Sequence, residues 1–196
     1  MKSISIIVPI FYCDPSLFLT IETCFSTLNA CYPGIDVIGV DDASPLDCPP
    51  HWPIEMENAI NQGYVSSVNS GLRASIADIV IVANDDLVFH QGCLDRYFDL
   101  PDGVIAGPAD TASGDLPTLG AIFGMTRKTL ETMGYLDERF RNYCADEEYW
   151  ERAGRLGIEV RVWDDVRLEH KESATFGLLE KERLLSEDQA RRSITR

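Results

Sequence analysis

The chain of 196 residues has six cysteines but no CxxC pair, which excludes a zinc ribbon. Cys13, Cys24, Cys31, Cys48, Cys93 and Cys144 are read as free, mostly buried thiols, because a disulfide framework is not expected in a chain this long with no export signal. No long charge-free apolar run is present, which excludes a transmembrane helix. The sequence opens directly on a strand pattern and not on a signal peptide, so the expected location is the cytoplasm. Positive charge is scarce: 17 Lys and Arg stand against 32 Asp and Glu, a net charge of −15. A broad nucleic-acid footprint needs a basic face and is not expected here. Neither GxxxxGK nor GxGxxG occurs, so no glycine loop is available for nucleotide triphosphate hydrolysis or a dinucleotide cofactor. Internal repeats, low-complexity segments and linkers are also missing.

What is present is enough apolar residue for one domain, 45% of the chain. "SISIIVPIFY" reads as a strand. The segment after it carries Leu17, Leu19, Ile21, Cys24, Phe25 and Leu28 at helical spacing and stops at Pro33-Gly34. A second strand spans Ile35 to Val40, a short one follows near Ile54 to Glu57, and Gly63 leads into a helix running to about Ser75. Ile79 to Ala83 is a third long strand. Strand and helix thus alternate over the first ninety residues, which predicts a doubly wound α/β sheet with its ligand site outside the carboxyl ends of the strands. Later segments predict a strand in "GVIAGPAD", a strand entering a helix in "LGAIFGMTRK", a helix from the acids at 146–148 to Gly157, and one or two short strands after it. An amphipathic helix closes the chain.

Two strands end in paired acids, Asp41-Asp42 and Asp85-Asp86. Adjacent carboxylates repel, and burying one without a partner is costly. One reading is a strand ending in an Asx-type turn, with Ser44 capping the first pair. The other is that the acids await a cation. Hard carboxylate oxygens suit Mg²⁺ or Mn²⁺, which take one or two carboxylates together with ligand phosphates.

Seven segments in order make the chain resemble the family 2 glycosyltransferases of the GT-A fold. These are "IIVPIFY", "IGVDDAS", "NQGYVSSVNSGLRAS", "ANDDLVF", "GMTRKTLETMGYLDERF", "ADEEYWERAGRLG" and "HKESAT", the last similar to an HxxSxT ending of rhamnosyltransferase-like members. The resemblance covers roughly residues 3 to 176. It implies a single α/β domain with a mixed, mainly parallel, Rossmann-like central sheet and helices on both faces. Residues 1–92 would bind the nucleotide sugar, 93–176 would carry the acceptor and catalytic half, and 177–196 would form a C-terminal helix. It also implies an inverting transfer from a nucleotide-diphosphate sugar to a hydroxyl of a saccharide or lipid-linked glycan, with Mn²⁺ or Mg²⁺.

Carried over by position, Asp86 is the main metal ligand, with Asp85 and His170 beside it. Asp41 or Asp42 contacts the nucleobase or ribose. Pro9, Phe11, Asn61, Gly63, Asn69 and Gly120 line the donor site, and Asp146 is the general base. The chain departs from the pattern at Tyr12, where Asn is usual, and at Ala145, where an acid usually precedes the base.

Asp146 is also expected to cap its helix, with Glu147 and Glu148 near the positive dipole end. Tyr149 and Trp150 are read as packing, and His51 and His90 receive no role. Phe176, Leu178, Leu179, Leu184 and Leu185 should seat the last helix on the domain or on a second copy, which would give a homodimer. Membrane association is not expected, because Glu180, Glu182, Glu187 and Asp188 would face anionic lipid, and Arg191 and Arg192 are read as complementing the helix dipole. A silent sugar-nucleotide binder and a sugar-nucleotide nucleotidyltransferase are the competing functions. The second would want a glycine- and basic-rich loop where "PIFYCDPS" stands.

Overall fold

Ile4–Ile10 is buried at all seven positions and forms β1, the pattern of a strand covered on both faces. In α1 (Phe18–Cys31), Ile21, Cys24, Phe25 and Leu28 fall on one helical stripe, which is the stripe that is buried. β2 (Asp36–Asp41), β3 (Ile54–Glu57), α2 (Tyr64–Ala74) and β4 (Ile79–Ala83) complete the alternating half. Then come β5 (Leu87–Val88), β6 (Val104–Pro108), β7 (Ile122–Thr126), α3 (Arg127–Met133), α4 (Ala145–Leu156), β8 (Glu159–Trp163), β9 (Glu169–His170) and α5 (Lys181–Ser193). This computed structural model describes residues 2–108, 120–163, 166, 168–171 and 181–193, the side chains of 181–184 excepted.

The main sheet has seven strands in the order β3-β2-β1-β4-β7-β6-β8. β7 runs antiparallel to both neighbours, and every other pairing is parallel. The sheet is therefore mixed and mainly parallel, as the sequence predicts. Parallel register sets Ile6 beside Ile81 and Ile7 beside Val82, so alternate residues of both strands share a face. Ile6, Val8 and Ile81 join the stripe of α1, while Ile7, Val80 and Val82 join Val65, Val68 and Leu72 of α2 and Tyr149 of α4. Helices thus cover both faces of one sheet. Gly71 lets α2 lie against β1, because a Cβ there would run into the Ile7 side chain.

From β1 the chain builds outward through β2 to β3, then returns to lay β4 on the other side of β1. That reversal is a topological switch point, and the crevice outside the carboxyl ends of β1, β2 and β4 is where such sheets place ligands. Asp41-Asp42 and Asp85-Asp86 leave the sheet at this edge.

Two expectations are corrected here. Asp146 does not cap α4: the residue in that position is Cys144, left-handed at φ +62 and without a side-chain capping bond, and Asp146 is the second residue of the helix. Asp188 is not among the acids able to meet a lipid surface: it is 1% exposed. Gly157 closes α4 in the left-handed conformation at φ +70, as its sequence position predicts. Of the apolar set on the last helix, Leu185 is half-buried against the α2–α4 cluster. Phe176, Leu178, Leu179, Glu180 and the side chains of Glu182 and Leu184 lie outside the described residues. No helix among the described residues is long and apolar enough to cross a membrane.

Candidate active site at the carboxyl edge of the sheet

β1 delivers Pro9, buried in the strand, and Phe11, half-buried at its end. Tyr12 follows, 9% exposed, with its ring edge-on to Trp52 at 5.5 Å. Its phenol therefore belongs to the wall beside α1, and its amide donates to Ser44 Oγ at 2.7 Å.

The acids of β2 divide at once. Asp42 is 4% exposed and collects donors: Gln62 N–H at 2.8 Å, Gly63 N–H at 2.7 Å and Asn58 Nδ2 at 2.8 Å. Both of its oxygens organise the loop that starts α2. Asp41 accepts from the backbone N–H of Ser44 at 3.0 Å and from the Ser44 hydroxyl, all through Oδ1. Among the described residues nothing hydrogen-bonds its Oδ2. Asp41 also borders a cleft of about 630 Å³ with Trp52, Glu57, Asn58, Leu46 and Pro50. The turn reading therefore describes half of Asp41, while Asp42 is taken up by the loop at 58–63, and the free oxygen of Asp41 is the part of the pair able to meet a ligand.

Asn61, Gly63 and Asn69 are structural in the same way. Asn61 Nδ2 donates to the Asp42 carbonyl at 3.2 Å, while its Oδ1 accepts from Arg141 Nη2 at 2.7 Å. Gly63 sits at φ +92, and a Cβ there would strike Arg141, so only glycine fits. Asn69 is fully buried and clips α2 to the loop after α3: its Nδ2 donates to the Leu136 carbonyl at 2.9 Å and to Glu138 at 3.0 Å, and its Oδ1 accepts from Leu136 N–H at 3.0 Å. A donor contact by the Asn69 side chain has no polar atom left to make it.

At the end of β4, Asn84 N–H donates to the Ala121 carbonyl at 2.9 Å and ties this turn to β7. Burial pushes the Asp85 carboxyl up to about 8, and the adjacent Asp86 charge adds to it; the residue's own backbone N–H and His170 work against the rise. Asp86 is 5% exposed, with its Oδ1 at 3.1 Å from His170 Nε2. Pairing of β5 with β9 sets Leu87 opposite His170, and Lys171 N–H donates to the Asp86 carbonyl at 3.0 Å. The three expected metal-site residues are thus brought together across more than eighty residues of sequence. Ser173 and Thr175 of the "HKESAT" segment lie outside the described residues.

Asp146 projects from the first turn of α4 toward Gly120, where an added Cβ would lie 3.4 Å from Asp146 Oδ2. Burial raises the Asp146 carboxyl above the usual range, opposed by its own backbone N–H and by the charge of Arg192. No side chain among the described residues hydrogen-bonds its carboxylate. Glu148 differs: it is paired with Arg152 and Arg155. Ala145, 2% exposed, lies in the apolar cluster, so an acid there would be buried. Trp150 meets Phe123 edge-on at 5.2 Å and Tyr149 OH donates to the Gly134 carbonyl at 2.9 Å, both packing roles.

Tyr64 is a residue the sequence reading passed over. It opens α2 directly after Gly63, and burial together with the fields of Asp146, Asp86 and Asp85 holds its phenol protonated well above the ordinary range. One ring therefore sees all three carboxylates. Its position, first in a helix that begins at this edge, was the available signal.

The two crowded carboxylates offer hard oxygen donors of the kind that suit Mn²⁺ or Mg²⁺, and the imidazole beside Asp86 adds a borderline nitrogen. Among the described residues no group of three or more His, Cys, Asp or Glu side chains is arranged to hold a metal ion.

No protein-family model matches the chain. No curated protein matches it either. Solved structures do. The mannosyltransferase PcManGT from Pyrobaculum calidifontis, in complex with GDP-Man and Mn²⁺, is 17% identical with a TM-score of 0.64, over 84% of this chain and 55% of that one. S. aureus TarS 1–349 is 14% identical at a TM-score of 0.63, over 83% and 58%. GalNAc-T7 with UDP, GalNAc and Mn²⁺ is 10% identical at 0.67, over 87% and 43%. The chain spans about half the length of these structures. The likeness shows the fold, the GT-A arrangement of a mixed α/β sheet in a single domain.

Proposed function

We propose that the chain is an inverting glycosyltransferase that moves a sugar from a nucleotide-diphosphate sugar to an acceptor hydroxyl with the help of a divalent metal. The observation that carries the reading is the convergence on Tyr64. Asp85 and Asp86 come from the end of β4 and Asp146 from the start of α4, and the fields of all three reach the Tyr64 phenol. The chain has a fold whose solved members include complexes with GDP-Man, UDP and Mn²⁺. The nucleobase takes the cleft at Asp41, and the diphosphate lies toward Asp85 and Asp86.

Asp86 would hold the cation, with Asp85 and His170 beside it; when bound, it supplies positive charge where the departing diphosphate gathers negative charge. Asp146 accepts the proton of the acceptor hydroxyl as that oxygen bonds to the anomeric carbon and the bond to the diphosphate oxygen breaks. Burial suits Asp146 to this role, because a raised carboxyl is a stronger base. A single displacement inverts the anomeric centre and needs no covalent sugar-enzyme intermediate. The acceptor is a hydroxyl of a saccharide or lipid-linked glycan.

Asp146→Asn is the direct test, with turnover of UDP-glucose, GDP-mannose and dTDP-rhamnose measured in Mn²⁺. Loss of the first-turn charge costs about 0.3–1 kcal/mol at most, so the melting temperature should stay near wild type. Nucleoside diphosphate affinity should also be unchanged. Turnover should fall by at least about a hundredfold. Near-normal turnover would remove Asp146 from the chemistry, and Glu148, bound by two arginines, would not be its natural replacement.

A further inference from the structure

Asp188 lies on α5, more than forty residues after the candidate base, yet it is the most heavily engaged carboxylate at this end of the molecule. Its Oδ1 accepts from Arg141 N–H at 3.0 Å and from Arg191 Nη1 at 2.7 Å. Its Oδ2 accepts from Asn142 N–H and from Tyr143 N–H, each at 2.8 Å. Three consecutive amides converge on one carboxylate that is 1% exposed. Such a backbone nest is an anion site, here filled by the chain itself.

The segment held in this way is the lead-in to the base. Arg141 also contacts the start of α2: its carbonyl accepts from Val65 N–H at 3.1 Å and its guanidinium grips Asn61. Asn142 Oδ1 accepts from the amide of Tyr64 at 3.2 Å. Cys144 then turns the chain through the left-handed region into α4, where it has no side-chain cap to fix the entry. A non-glycine residue at positive φ persists only where its surroundings dictate it. Asp188 supplies that constraint from outside the helix. One helical turn on, Arg192 pairs with Glu147 and Glu151 on the exposed side of α4. α5 therefore holds the loop before α4 through Asp188 and the helix itself through Arg192, and Asp146 lies in the chain between these two points of attachment.

We propose that Asp188 is a positioning residue for Asp146: from α5 it fixes residues 141–144 and so gives the base one place to be. The inference rests on the reading of Asp146 as base. It assigns to the last helix a part in catalysis beyond packing, since a base displaced by about 1 Å loses much of its effect.

Asp188→Ala and Asp188→Asn in the full chain test it. Below the melting transition, hydrogen–deuterium exchange across residues 139–149 should quicken by at least about tenfold, as expected for loss of charge-assisted bonds, with β1 and β4 unchanged. Added formate should restore protection to Asp188→Ala, because it can re-enter the nest, and chloride at equal ionic strength should not. Donor turnover in Mn²⁺ should fall about tenfold in kcat with donor KM unmoved. If Asp188→Ala does not fold, Asp188→Asn, which keeps one acceptor oxygen, carries the same measurements. Faster exchange confined to 141–143, with 145–149 as protected as in wild type, would overturn the inference. Full turnover by Asp146→Asn, run alongside, would overturn the base reading and with it the purpose given to Asp188. An inactive Asp146→Asn beside an unaltered kcat in both Asp188 variants would sink the inference alone.

Discussion

Two Asp-Asp pairs leave the strands that flank β1, and the sheet treats them in opposite ways. At the end of β2, Asp42 receives two backbone amides and the Asn58 side chain, and Asp41 turns half of its carboxylate to Ser44. At the end of β4, burial and the neighbouring charge push Asp85 up to about 8, and Asp86 meets the imidazole of His170. The first pair is largely satisfied by the fold. The second keeps a carboxyl whose proton the fold holds far more tightly than water would, which is a strained arrangement for a residue with no catalytic or ligand role. Identical dipeptides at matching strand ends therefore separate into one whose carboxylates are largely taken up by backbone and side-chain donors and one that holds a buried, raised carboxyl beside an imidazole, which we propose as the cation site.

Substitutions should reveal that division. The largest effect on stability belongs to Asp42→Ala. It leaves two amides and one side-chain amide without an acceptor, and should destabilise the fold by about 3–5 kcal/mol, a large share of the stability of a typical domain. Chemical denaturation measures it directly. A loss under about 1 kcal/mol would put Asp42 back among the ligand-binding candidates.

Asp85→Asn should act in the other direction, and its effect should depend on pH. A carboxyl raised from its ordinary 3.8 to about 8 carries no folding penalty below the unfolded value, and its penalty grows as pH rises through the window between them. In chelator, the variant should therefore melt with wild type near pH 4 and above it, by about 10 °C or more, at pH 8 and beyond. Mn²⁺ with a nucleoside diphosphate should narrow that gap by stabilising wild type. A difference that stays flat with pH would mean the Asp85 charge is not held in a buried setting.

Much of the scaffold was legible because it rests on local patterns. The runs at Ile54–Glu57 and Ile79–Ala83 are strands with the bounds their sequence suggests, and α4 ends at Gly157. Burial on one stripe of α1 follows from spacing alone. Of the proposed site, Asp85 and Asp86 end a strand legible in the sequence, and His170 reaches Asp86 from β9. What sequence could not resolve is which polar side chains the fold itself consumes. Asp42 depends on amides about twenty residues away, Asn69 on Leu136, and Asp188 on amides more than forty residues earlier. An N-cap at Asp146 was a reasonable local inference, but Cys144 takes the left-handed turn into the helix while its loop is held from α5. Tyr64 was overlooked because a tyrosine after glycine carries no pattern of its own.

The central claim is that the β4 pair, and not the β2 pair, holds a cation that in turn holds a diphosphate. Calorimetric titration of UDP and GDP into wild type, Asp86→Asn and Asp41→Asn, each with Mn²⁺ and again with chelator, addresses it most directly. Binding to wild type should depend on Mn²⁺. Asp86→Asn should lose that dependence and most of the affinity while keeping the wild-type fold by circular dichroism, and Asp41→Asn should remain Mn²⁺-dependent with a loss of no more than about tenfold. Equal, Mn²⁺-enhanced binding by wild type and Asp86→Asn would contradict the account.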